Sequence, residues 1–141
     1  MSNDVEYAII TKLLAYTDLT TLVSTRIYRN TLPASPTYPA VVVSEISDSP
    51  PADSSTGGWV STRIQCSVFS TGTGGGEAGK ISRIVRDALH RTVNTLLTAG
   101  TGKVFIQSIK DGGSRPDQNT DLIPVLYMRH RDFIVLYDYK L

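Results

Sequence analysis

The sharpest chemical pattern in the sequence is Gly74-Gly75-Gly76-Glu77-Ala78-Gly79-Lys80-Ile81. It fits a GxxxxGK spacing, follows an alternating segment and opens a helical one. In a phosphate-binding loop those glycines let backbone N–H groups converge on the anion, and a Ser or Thr after the lysine holds magnesium. Here Ile81 stands in that place and begins an apolar stripe, while Glu77 puts negative charge inside the cradle. The pattern therefore reads as a flexible turn before an ordinary helix. A small nucleotide-binding enzyme using the Gly74–Lys80 loop is kept as the alternative.

Other chemistry is thinner. His130-Arg131-Asp132 copies the start of a kinase catalytic loop, but the accompanying Asn and DFG are missing and the chain is far too short. The two histidines, His90 and His130, invite pairing with a serine or with Cys66 as nucleophile and base. Cys66 alternates with Ile64 and Val68, the position of a small core residue. Neither histidine has metal-ligand spacing to a second His or Cys. No catalytic, cofactor or metal set emerges. The basic residues Lys80, Arg83, Arg86 and Arg91 are interleaved with Glu77 and Asp87, which reads as a solvated helix face.

Composition agrees with a non-enzymatic reading. The chain has 141 residues, a single-domain length, with 40% hydrophobic and 19% charged residues and a formal net charge of +1. A sequence-specific nucleic-acid binder usually carries a clear basic excess. One cysteine excludes an internal disulfide and a cysteine-based zinc site. The N-terminal residues do not fit a signal peptide, and no apolar run approaches the roughly 18 residues of a membrane span. The expectation is a soluble protein made in the cytosol, with no membrane partner.

The elements around these residues follow from periodicity. Val5, Ile9, Ile10, Leu13 and Leu14 predict a helix from Asp4 to Tyr16, with a short turn from Leu19 to Val23 folding back on it. Arg26-Ile27-Tyr28 reads as a short strand, Thr31–Pro39 as an extended proline loop, and Ala40–Ser47 as a β-branched strand. Trp59–Ser70 alternates between an apolar and a polar side. Ile81, Ile84, Val85, Ala88, Leu89, Val93 and Leu96 predict a helix over Glu77–Leu97. Lys103–Lys110 and Leu122–Tyr139 read as strands, the latter with a bulge or bend near His130–Asp132. Mobile loops are expected near 48–58, 71–76 and 111–121. The fold class is α+β, a mostly antiparallel sheet with two amphipathic helices packed on one face, in a single domain over 1–141.

Long polar loops without a catalytic set point to contacts rather than chemistry. The candidate interface residues are Trp59, Asp53, Arg63, Asp111, Arg115 and Asp117. Trp59 stands at a loop–strand junction, where an aromatic anchor and a core side chain are equally good readings.

Several segments in order carry a resemblance. An opening helix precedes Leu19-Thr20-Thr21-Leu22-Val23-Ser24-Thr25-Arg26-Ile27-Tyr28. Pro33–Pro39 leads into Ala40-Val41-Val42-Val43-Ser44-Glu45. After a polar gap come Arg63-Ile64-Gln65-Cys66-Ser67-Val68-Phe69-Ser70, a glycine linker and the helix through Asp87-Ala88-Leu89. The chain resembles the tail-completion or tail-terminator proteins of long-tailed phages, also described as head-to-tail joining proteins. The glycine-rich 72–79 segment departs from that pattern. The resemblance implies a structural virion protein of the tail or neck, in the host cytoplasm during assembly, monomeric in solution and a hexameric ring in the particle; another neck or minor tail protein is the second alternative. It also implies contacts with the tail tube protein and the head connector or stopper, no cofactor, and no catalytic residues to carry over.

Overall fold

The computed structural model describes residues 5–49, 59–72, 75–90, 92–99, 102–122 and 124–138. The chain runs through helices α1 (Val5–Leu14) and α2 (Thr17–Val23) and strands β1 (Ile27–Arg29), β2 (Ala40–Ser49) and β3 (Trp59–Ser70). Helix α3 (Gly76–Leu89) and strands β4 (Val93–Ala99), β5 (Gly102–Asn119) and β6 (Leu126–Asp138) follow. The fold is α+β, with three helices and one six-stranded sheet in the order β1-β2-β3-β6-β5-β4. All pairings are antiparallel except β1 with β2.

Alternation builds the core. In β3, Val60, Thr62, Ile64, Cys66, Val68 and Ser70 are buried, whereas Arg63 between them is exposed. Across the ladder Ile64 faces Phe133 and Thr62 faces Val135. Val60, Ile64, Cys66, Val68, Phe133 and Val135 join Ile9 and Leu13 of α1, Leu19 of α2 and Ile81 and Val85 of α3 in one apolar cluster. Removing that much apolar surface from water is the main drive for folding, at about 25 cal/mol per Å2.

The sheet curls. Its two edge strands, β1 and β4, both contact α1, which lies between them. Glu6 of α1 is 5% exposed and ties this junction. Its carboxylate accepts the Arg29 guanidinium at 2.8 Å and the Glu45 backbone N–H at 2.9 Å. Arg29 also stacks over the Tyr7 ring at 5.0 Å. In the Arg26-Ile27-Tyr28 segment, Arg26 Nε donates to the Pro39 carbonyl at 2.9 Å, pinning the proline loop to the strand start.

Five expectations need correction. The helix expected to reach Leu97 ends at Leu89, and Val93–Ala99 is strand β4, paired with β5. His90 already has extended backbone, and Thr92 Oγ1 donates to the Leu89 carbonyl at 2.8 Å. The segment expected as a loop over 111–121 is β5 as far as Asn119. Its two glycines form a bulge between Asp111 and Ser114, opposite Phe133 and Arg131. The irregularity expected in β6 near His130–Asp132 is thus in the neighbouring strand, while β6 pairs with β3 without a break. Of the expected loop at 48–58, Asp48 and Ser49 belong to β2, and 50–58 lie outside the described residues. Gly75 and Gly76, read as linker, are the cap and first residue of α3.

Candidate assembly surface

Residues that alternate with the core positions project to the other side of the sheet. Arg63 of β3 faces Ile134 of β6 there, Gln65 faces Asp132 and Ser67 faces His130. Arg115 of β5 pairs with His130 from the opposite flank, and Asp117 with Met128. Three of the sequence candidates, Arg63, Arg115 and Asp117, are brought together on this surface.

Asp132 organises it. Arg63 donates from Nη2 at 2.6 Å and Nε at 3.1 Å to one carboxylate oxygen, Oδ2, and Arg115 Nη1 stands 3.7 Å from the same atom. The other oxygen, Oδ1, is buried without a hydrogen-bond partner. Asp132 is 6% exposed, while the Arg63 and Arg115 side chains are 51% and 59% exposed. One buried carboxylate therefore holds two solvent-facing guanidiniums, one from β3 and one from β5. Gly112, in the β5 bulge, lets the backbone come close, since a Cβ there would sit 3.1 Å from the Asp132 carbonyl oxygen.

Ser67, His130 and Asp117 form a line with the outline of a nucleophile–base–acid set. Ser67 Oγ and His130 Nδ1 are 2.8 Å apart, and His130 Nε2 is 3.8 Å from Asp117 Oδ2. The last distance exceeds a hydrogen bond. Ser67 lies mid-strand in a β3 paired on both sides, so ladder bonding engages the backbone N–H groups that an oxyanion hole would need. The line is a polar cross-strand contact.

Asp111 is not brought to this surface. It turns to the α3 side, where Oδ2 accepts Arg131 Nη1 at 2.8 Å and Arg86 Nε at 2.9 Å, and Oδ1 accepts the Gly113 N–H at 2.9 Å. Arg131 also donates to Ser82 Oγ of α3 at 3.0 Å. Burial would raise the Asp111 carboxyl pKa. The Gly113 N–H and the Arg131 and Arg86 guanidiniums outweigh it and hold the group below its ordinary value. Cys66 lies under the same strands, and burial, with Asp132 adding to it and Arg131 opposing, pushes its thiol up to about 12. That removes the thiolate a nucleophile needs. Trp59 opens β3 and pairs with Asp138. Asp53 lies outside the described residues.

The glycine segment is arranged against phosphate. Glu77 is bonded by the Ser70 hydroxyl at the start of α3, and the same Ser70 oxygen accepts the Gly72 N–H at 2.9 Å. A carboxylate thus occupies the positive helix end. Ile81, where a magnesium ligand would stand, is fully buried. Among the described residues no group of three His, Cys, Asp or Glu is placed to hold a metal, and no helix is long and apolar enough to cross a membrane.

Comparison with protein families decides the matter: the profile of the family "Tail completion protein gp17" matches residues 7–126, most of the chain. The chain belongs to that family. It is a structural protein of the bacteriophage virion, placed in the tail or neck. The tail-completion chain is also similar in structure to a chain of the particle described as "Virion of native gene transfer agent (GTA) particle". The TM-score is 0.69 at 21% identity, covering 95% of this chain and 94% of that one. At that identity the likeness is one of fold. Comparison with curated proteins finds no match.

Asp132, Arg131 and Arg86 were missed among the sequence candidates. The available signal was an Arg-Asp pair breaking the apolar alternation in the middle of β6, where a charge on each side of the sheet needs a partner on each side.

Proposed function

We propose that this tail-completion protein closes the tail tube when it has reached length and joins it to the head connector, working as a ring of identical copies. The family match over residues 7–126 carries this reading. In it the chain is monomeric in solution and hexameric in the virion, and one rim of the ring meets the tube protein while the other meets the connector or stopper. Helices α1 and α3 cover one side of the sheet, and the side bearing Arg63, Arg115 and Asp117 stays free for partners. Trp59 and Asp53 remain proposed contact residues. A closed ring needs a heterologous contact, in which two different patches of the same chain meet.

Electron microscopy of lysates from phage lacking this gene tests the reading. Separate heads and tails are expected, with restoration by the purified protein. Intact virions at normal yield from the deletion would overturn it.

The nucleotide-enzyme alternative has Glu77 and Ile81 against it. Lys80→Ala separates the two: assembly is expected at normal yield, whereas loss of function together with measurable ATP binding by the native protein would favour the enzyme.

A further inference from the structure

Strand β4 pairs with β5 only as far as Ser108, and just beyond it the Ile109 N–H donates to the Thr92 carbonyl at 3.0 Å. β5 continues to Asn119, paired with β6. Among the described residues, the edge of Lys110–Asn119 that faces away from β6 has no strand beside it. Such an edge presents backbone donors and acceptors that a strand of another chain can join.

Donors along that edge are withdrawn in turn. Ser114, Pro116 and Gln118 pair with Arg131, Arg129 and Tyr127 in unbroken register, so their backbone nitrogens face the same way. Pro116 has no N–H, and a sheet holds proline where the nitrogen faces outward. The nitrogen of Gln118 therefore faces outward too, and its N–H is taken by Asp117 Oδ1 at 2.8 Å. The other oxygen of Asp117, Oδ2, stands 3.8 Å from His130 Nε2, so this side chain reaches from the edge towards the neighbouring strand. In the bulge, the Gly113 N–H is taken by Asp111 Oδ1 at 2.9 Å. Past the strand end, the Asp121 N–H is taken by Asn119 Oδ1 at 3.0 Å. An added strand would meet no free donor at 113, 116 or 118.

We propose that the chain closes this outer edge of β5 to strand addition with its own groups, Pro116 by lacking a donor and Asp117 by capping the Gln118 N–H. Contact with a second copy along this arm is then made by the exposed side chains of Lys110, Arg115 and Asp117, and does not extend the sheet. Hydrogen bonds within one chain carry this, independently of the ring reading.

Hydrogen exchange and sedimentation test it. Asp117→Ala removes the cap, whereas Asp117→Asn removes the charge and keeps an acceptor oxygen. The Gln118 amide is expected to exchange about fivefold faster in Asp117→Ala, the effect of losing one ordinary hydrogen bond, and at the native rate in Asp117→Asn. Pro116→Val/Asp117→Ala restores both donors. With its circular dichroism unchanged, this double variant is expected to self-associate about tenfold more tightly than the native chain, its amides at 116 and 118 slowing as concentration rises. Asp117→Ala alone, sedimented in the same way, should show a smaller gain, and it decides if the double variant does not fold. Unchanged exchange of Gln118 in Asp117→Ala, or equal rates in the Ala and Asn variants, would overturn the cap. A folded double variant that associates no more tightly than the native chain would overturn the closure of the edge.

Discussion

Asp111 and Arg131 meet at 2.8 Å on the α3 side of the sheet, and through this pair one carboxylate links α3, β6 and the β5 bulge. The Arg131 side chain is 10% exposed, so its charge depends on that partner. Asp111→Ala should destabilise the fold by about 3 kcal/mol, the usual cost of leaving a buried charge unpaired. Urea unfolding measures it. A loss below roughly 0.5 kcal/mol, the range of ordinary surface substitutions, would show that solvent already serves Arg131.

The same pair sets an acid limit. The folded carboxyl has a pKa below its ordinary value of 3.8. Its contribution is therefore complete above 3.8 and declines as pH falls from there through the lower folded value. Stability measured from pH 6 to pH 2 should drop for the native chain, and Asp111→Asn should flatten part of that drop. Parallel curves for the two proteins would contradict the pairing.

Glu6→Ala removes the acceptor for both Arg29 and the Glu45 N–H. A cost of about 1 kcal/mol is expected, since a part-buried backbone donor and a charged group lose this acceptor together. Hydrogen exchange should show the Glu45 amide opening faster in the variant. An unchanged rate there would argue that α1 does not secure the β2 edge through this side chain.

Cys66 is fully buried and its thiol is pushed up to about 12. Modification by a disulfide reagent at pH 8 should follow the rate of unfolding and rise steeply with urea. Rapid labelling of the native protein would mean that the sheet opens at β3.

Much of this was legible from periodicity. Strand β3 was expected over Trp59–Ser70 and is found there, because Ile64, Cys66 and Val68 alternate with polar residues and Gly72 follows the strand. Val93 and Leu96 misled because they continue the helical i, i+4, i+7 spacing from Leu89. The β-branched Thr92, Val93 and Thr95 favour the ladder with β5, a preference that tertiary pairing decides. Gly112, Gly113 and Pro116 resemble loop residues, yet beyond the reach of β4 that part of β5 is an edge, where bulges and prolines are at home. The Asp111 and Asp132 clusters were illegible for another reason. Their arginine partners come from as far as 69 residues away, and only the pairing register brings them together.

Because α1 lies against both outermost strands and Glu6 takes the Glu45 amide, the ends of the ladder near this helix are already occupied. Bare strand edges are places where copies of a chain can zip into fibrils. The first helix lies over these margins at β1 and β4 and so withdraws them as templates for a second chain.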